Sequence, residues 1–441
     1  MTHCRERTEE SLALENNWKL VESQSFHDAV SWLLNGVLFP VCAMEKTSCN
    51  LSCTPQLPRE IWYTLLHVRS VEETMKVTND AINRKYLEVL RHKSGVMSCI
   101  ALDADFMRAH FGREAGVKDY IDVSHETLNP IVHGFSMRDF VPALKFETEI
   151  VGRDGDTVTE RMTLDTAIGE KYFEVSHSAN THIRLGEAHV APVETKDDFA
   201  IFDWYCDVVR QNNWSAFKRA AEDTRALYGN AVILSMFLTP PFELLYFTRR
   251  ENIIYLYHDH PEEYRKAMEA VNKAYEVLVG IGAENGVQMI GYGAPGGTEF
   301  TSPSMWKDAI VPSSRALEAA AKKAGLYTQF HCCGKITKII EDGYLNEIKP
   351  SLYETFSPPP AGDVIEPARL RHILDRDIVI RGNIDLGLLR DGSVGDVLAA
   401  AERLLSEVRG YPHILGASDS CLWPGTSLDN IVALGRRYNS P

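Results

Sequence analysis

The residues with the clearest chemistry are His331 and Cys333, in Phe330-His331-Cys332-Cys333-Gly334, together with a distant Cys421. Side chains alternate between the faces of a strand, so a spacing of two puts imidazole and thiol on one side. The preceding run, Gly325 to Phe330, reads as a buried strand after a helix. Cys421 lies in the small-residue loop Gly416-Ala417-Ser418-Asp419-Ser420-Cys421-Leu422-Trp423-Pro424-Gly425-Thr426, after another apolar run. Singly, such residues are core thiols and satisfied histidines. Together, two thiolates and an imidazole form a zinc donor set that leaves one tetrahedral position open, as a catalytic zinc requires. A centre of this kind carries no net charge. It can take a thiolate or polarise an ether oxygen or an amine, which suits moving an alkyl group on or off a heteroatom. Peptide hydrolysis fits less well, because the chain has no His-Glu-x-x-His stretch.

These residues need strands to carry them. Apolar runs at Val96 to Leu102, Leu128 to His133, Ala231 to Phe237, Val287 to Tyr292, Gly325 to His331, Ser351 to Glu354, Asp377 to Gly382 and His413 to Gly416 make eight strand candidates. Helical segments alternate with them from residue 231 onward, for example Pro261 to Gly280, Pro312 to Lys323 and Val394 to Val408. This alternation predicts an α/β fold, a (β/α)₈ TIM barrel. No Gly-x-Gly-x-x-Gly turn marks a dinucleotide-binding sheet. Leu144 to Val151 and Thr157 to Leu164 flank a turn-rich Gly152 to Asp156, which predicts an inserted β-hairpin, extended near Tyr172 to Val175. The segment 1–92 reads as a helical N-terminal extension, a cap or a homodimer contact, and 93–441 as the barrel.

A barrel keeps its chemistry at the carboxyl ends of its strands. The polar residues falling there, besides the three metal candidates, are Asp103, Tyr292, Glu299, Glu354, Asn383, Asp385 and Asp419. Glu299, Glu354 and Asp385 are the catalytic candidates, and Asp103, Tyr292, Asn383 and Asp419 the substrate-binding ones. Each also has an ordinary structural reading as a helix cap or loop partner.

The chain has 441 residues, with 46 Lys and Arg against 61 Asp and Glu, a net charge of −15. No basic patch with interleaved aromatics appears, so nucleic acid and anionic membranes are poor partners. The charged start of the chain does not read as a signal peptide, and the near-apolar stretch from Trp32 to Met44 is too short to span a bilayer. Nine irregularly spaced Cys then read as reduced thiols of a cytoplasmic protein, Cys42, Cys49 and Cys53 among them.

From Ala231 to the carboxyl terminus the chain resembles the uroporphyrinogen decarboxylase superfamily. Within it, the chain is most similar to the corrinoid-dependent methyltransferases, which include methylcobalamin:coenzyme M, chloromethane and O-demethylating enzymes. The motifs that carry the resemblance are Pro240-Pro241-Phe242-Glu243, His331-Cys332-Cys333-Gly334, Gly382-Asn383-Ile384-Asp385, and Cys421 with Pro424-Gly425-Thr426-Ser427-Leu428-Asp429-Asn430-Ile431. The combined His-x-Cys and late Cys motif is fairly specific within this fold, whereas the other pieces mark the superfamily only. The resemblance implies zinc on His331, Cys333 and Cys421, and a corrinoid as co-substrate. No Asp-x-His-x-x-Gly motif occurs, so the corrinoid is expected free or on a partner protein, exchanging methyl with a small molecule such as a methoxylated aromatic, a thiol or tetrahydrofolate. The metal-free porphyrinogen decarboxylases carry an arginine motif near the amino terminus. It is missing here, where Arg59, Arg69, Arg84 and Arg91 sit in amphipathic helical segments. A more distant likeness, to cobalamin-independent methionine synthase, implies an extra zinc-site acid, for which Glu299 or Glu354 could serve. A decarboxylase-like lyase and a binding protein with a structural metal are the alternative readings.

Overall fold

In eight strands the first inward-facing residue is apolar, and together these residues build one plug. The strands are β1 (Val96–Ser98), β2 (Val132–Ser136), β7 (Ile233–Pro241), β8 (Met289–Gly293), β9 (Tyr327–His331), β10 (Leu352–Glu354), β11 (Val379–Ile384) and β12 (His413–Ala417). Met97, Val132, Ile233, Met289, Tyr327, Leu352, Val379 and Ile414 share one cluster with Ile82, Tyr86, Val89 and Leu90 of the helix over 79–92. That helix therefore stoppers the amino-terminal end of the barrel. A computed structural model describes residues 79–178, 188–241, 248–293, 297–299 and 301–440. Of the expected helical extension, 79–92 is helical and packs with the barrel. The residues before 79, including Cys42, Cys49 and Cys53, lie outside the described part.

The eight strands form one parallel sheet in the order β1-β12-β11-β10-β9-β8-β7-β2. The expected alternation of strand and helix is therefore the observed one. Residues one step along each strand face outward, under the helices: Ile290, Tyr292, Phe330, Tyr353 and Ile380 belong to the large outer core. No ladder joins β1 to β2; two buried asparagines, Asn439 and Asn129, bridge that seam instead, and Asn83 of the helix over 79–92 supports the β2 side. Asn439 accepts from the Ser98 amide at 2.8 Å and donates to the Ser98 and Leu128 carbonyls at 2.7 Å each. Asn129 accepts from the Ile100 amide at 3.1 Å, and Asn83 from the Ile131 amide at 2.9 Å. These side chains satisfy backbone groups that a strand pair would otherwise have satisfied.

The insertion between β2 and β7 is larger than the expected hairpin. Strands β3 (Glu147–Asp154), β4 (Thr157–Thr166), β5 (Gly169–Ser178) and β6 (Ala188–Val190) form an antiparallel four-stranded sheet. Leu144, expected to begin a strand, lies in a short 3₁₀ turn instead. Leu164, Phe173 and Val175 anchor the sheet to the outer core, so its exposed β3 face could not alone have shown a sheet. Helices Ala200–Gln211 and Ser215–Tyr228 complete the crossover to β7. Among the described residues, no helix is long and apolar enough to cross a membrane.

Candidate active site at the barrel mouth

The inward face of β9 runs Tyr327, Gln329, His331, and that of β10 runs Leu352, Glu354. The register sets Leu352 against Gln329 and Glu354 against His331. Neighbouring β8 contributes Gly293 opposite His331. A Cβ on Gly293 would lie 2.3 Å from the His331 carbonyl oxygen, so only glycine lets β8 pass this close. On β11 the inward residue after Val379 is Arg381.

These side chains meet. Glu354, 2 % exposed, accepts from Gln329 Nε2 at 2.8 Å on Oε1 and lies 3.3 Å from His331 Nδ1 at the same oxygen. Its Oε2 is ion-paired with Arg381. A carboxylate facing Nδ1 favours the tautomer protonated there, which leaves the Nε2 lone pair for a ligand. Carboxylate-backed imidazoles of this kind are what metal sites use to fix a histidine ligand. Cys332 faces the other way. It is 1 % exposed in the outer core, where burial pushes its thiol far up. Cys333, next along, is half-buried.

Cys421 enters from the loop after β12 and is half-buried. Asp103 holds that loop: Oδ2 accepts from the Leu422 amide at 2.5 Å while Oδ1 caps helix Ala104–Phe111 through the Phe106 amide at 2.9 Å. Asp419 accepts from the Ser420 amide at 2.6 Å. Burial, with the charges of Asp103 and Asp419, pushes the Cys421 thiol up to about 11, so in the metal-free chain it keeps its proton at neutral pH. The Ser357 hydroxyl donates to the Ser418 carbonyl, tying the proline loop after β10 to the Cys421 loop. Trp423 is stacked under Arg390, whose guanidinium lies 5.0 Å from its ring centre.

The remaining sequence candidates separate. Asn383, half-buried, is the penultimate residue of β11. Asp385 caps helix Leu386–Asp391, accepting from the Leu388 amide at 2.8 Å. Glu299 is exposed and lies 3.7 Å from Lys335. Tyr292 does not reach the mouth. Its neighbours Gly291 and Gly293 face in, so it faces out and donates to Glu318 of helix Val311–Lys323 at 2.5 Å. Arg381 and Gln329 were missed by the sequence reading. The available signal was an arginine inside an apolar strand, which must find a counter-charge if buried. Among the described residues, no three His, Cys, Asp or Glu side chains are gathered closely enough to hold a metal. By type, and by the way His331 is backed, the donors fit zinc; the three ligands are not drawn together.

The Tyr292–Glu318 pair gives a test of its own. Thr328 donates to the second Glu318 oxygen at 2.9 Å. Burial raises Glu318 from 4.5 to about 8, while both hydrogen bonds and the Lys93 charge oppose the rise. The native state thus holds a proton that the unfolded chain releases. The stabilisation is full below about 4.5, falls as pH rises to about 8, and is flat beyond. Glu318→Gln is expected to flatten the decline of melting temperature over that range. An unchanged slope in parallel thermal melts would count against it.

The sequence profile of the uroporphyrinogen decarboxylase (URO-D) family matches residues 184–438, more than half of the chain. The chain belongs to the uroporphyrinogen decarboxylase family. The match takes in every residue of the Glu354–His331–Arg381 cluster and both metal-candidate cysteines, but neither β1 nor the helix over 79–92. In three dimensions this family member is similar to a methyltransferase from Methanosarcina mazei: 14% sequence identity, TM-score 0.56, 81% of this chain and 98% of that one. A vitamin-B12 independent methionine synthase from Listeria monocytogenes aligns at 12% identity and TM-score 0.35, over 79% of this chain and 96% of that one. At these identities the first likeness is one of fold, and the second carries no argument. Comparison with curated proteins gives no match.

Proposed function

We propose that this family member is a zinc-dependent methyltransferase that exchanges a methyl group between a small molecule and a corrinoid, free or held by a partner protein. The observation that carries the reading is His331, fixed through Nδ1 by Glu354 with Nε2 unused, two residues from Cys333 at a barrel-strand end. The fold shared with the Methanosarcina mazei methyltransferase supports it. His331, Cys333 and Cys421 would hold the zinc, with Asp103 and Asp419 positioning the Cys421 loop. Zinc bound there would lower the pKa of a thiol or polarise the heteroatom that carries or receives the methyl group. The protein's part is to keep Glu354 on Nδ1 and to keep the strand ends in register. A methoxylated aromatic is a candidate donor; a thiol or tetrahydrofolate as acceptor is the same chemistry run in reverse. Among the described residues, the inward-facing arginine, Arg381, is taken by Glu354, which gives a polycarboxylate substrate no free guanidinium on the barrel strands.

The deciding experiment supplies cob(I)alamin with a panel of methyl donors, and methylcobalamin with thiols or tetrahydrofolate, and follows the cobalamin spectrum. Zinc-dependent conversion in one direction is expected. Silence in both, with coproporphyrinogen formed from uroporphyrinogen, would turn the assignment to the lyase.

A further inference from the structure

Arg381 is a buried cation among groups that a small apolar interior would not ordinarily hold. Its Nη1 lies 3.7 Å from the Cys99 thiol, and its charge reaches the Tyr86 hydroxyl on the stopper helix. Nη2 pairs with Glu354 Oε2. A carboxylate as enclosed as Glu354 is costly to keep ionised without a partner, and breaking such a pair costs more than the pair contributes. With one oxygen occupied by Arg381, the other faces Gln329 Nε2 and His331 Nδ1, so protein donors use both oxygens.

We propose that Arg381 is a positioning residue for His331: its ion pair with Oε2 holds the Glu354 carboxylate turned so that Oε1 faces Nδ1, which leaves Nε2 as the ligating atom. The tautomer part of this inference stands on the contacts alone. The metal-affinity part rests on the zinc reading above.

The test uses the full chain with Arg381→Met, Arg381→Lys and, as a second line, Glu354→Gln. Nitrogen-15 histidine shifts of metal-free protein report the His331 tautomer, its signal identified by its loss in His331→Ala. The parent is expected to show Nδ1–H. Arg381→Met is expected to lose that preference, and Arg381→Lys to recover most of it by restoring a positive charge. Competition with a chromophoric chelator reports zinc affinity. Arg381→Met is expected to bind about tenfold to a hundredfold more weakly, the usual effect of losing an outer-layer partner. If the parent binds no zinc, the zinc reading fails while the shifts still decide the role of Arg381. If the parent binds zinc and Arg381→Met matches it in tautomer and affinity, the positioning role is overturned and the zinc reading stands. Should Arg381→Met not fold, Glu354→Gln takes its place, since it keeps the shape but not the charge. An Nδ1–H tautomer unchanged in that variant overturns the proposal.

Discussion

Cys333→Ala and Cys421→Ala are each expected to empty the protein of zinc, whereas Cys332→Ala keeps about one zinc per chain. The structure separates two adjacent cysteines that sequence alone sets side by side. Cys332 points into the outer core, its thiol raised by burial and its carbonyl held by the Tyr353 hydroxyl at 3.0 Å. Cys333 lies just past the end of β9, two residues after His331, and is half-buried. Elemental analysis of protein purified without added metal makes the comparison. All three variants should still melt cooperatively, because the apolar barrel does not depend on the ion to fold. Zinc retained by Cys333→Ala and lost from Cys332→Ala would reverse the assignment of faces and remove the basis for the proposed site.

The second large effect belongs to the fold. Asn439→Ala is expected to destabilise the chain by about 3 kcal/mol, since it strands the buried amide and carbonyl of Ser98 together with the Leu128 carbonyl. Urea titration monitored by circular dichroism measures it. Asn129→Ala, which removes a single acceptor from the same seam, should cost less. Equal and negligible costs for the two would show that water replaces these side chains and that the seam is wet.

Much of the barrel was legible because each inward residue at a strand start is apolar and the helices between strands are amphipathic. That pattern predicted β7 through β12 within a few residues. The limits are as physical as the successes. Asp103 and Asp385 were expected at the mouth and are there as helix caps, because an acid after a strand serves a following helix equally well. Tyr292 was assigned to the rim by position along the chain. Gly291 and Gly293 on either side mark the inward face, and a tyrosine between them must face out. The β3–β6 sheet was read as a hairpin with an extension near Tyr172 to Val175; its fourth strand, β6, is only three residues long and too short to show a period-two signal. Arg381 escaped notice because one charge in an apolar strand looks like noise until its partner, 27 residues back along the chain, is seen beside it.

The helix over 79–92 seals the far end of the barrel with side chains that share one apolar cluster with the first inward residue of all eight strands. Among the described residues, a barrel stoppered at its base is open at the carboxyl ends of its strands. For a methyltransferase of the proposed kind, the small donor or acceptor and the bulky corrinoid carrier share that opening. The small molecule must be seated before the carrier covers it, and it must wait for the carrier to depart before leaving. The order of traffic is thus imposed from the opposite end of the molecule, by residues that never meet a substrate.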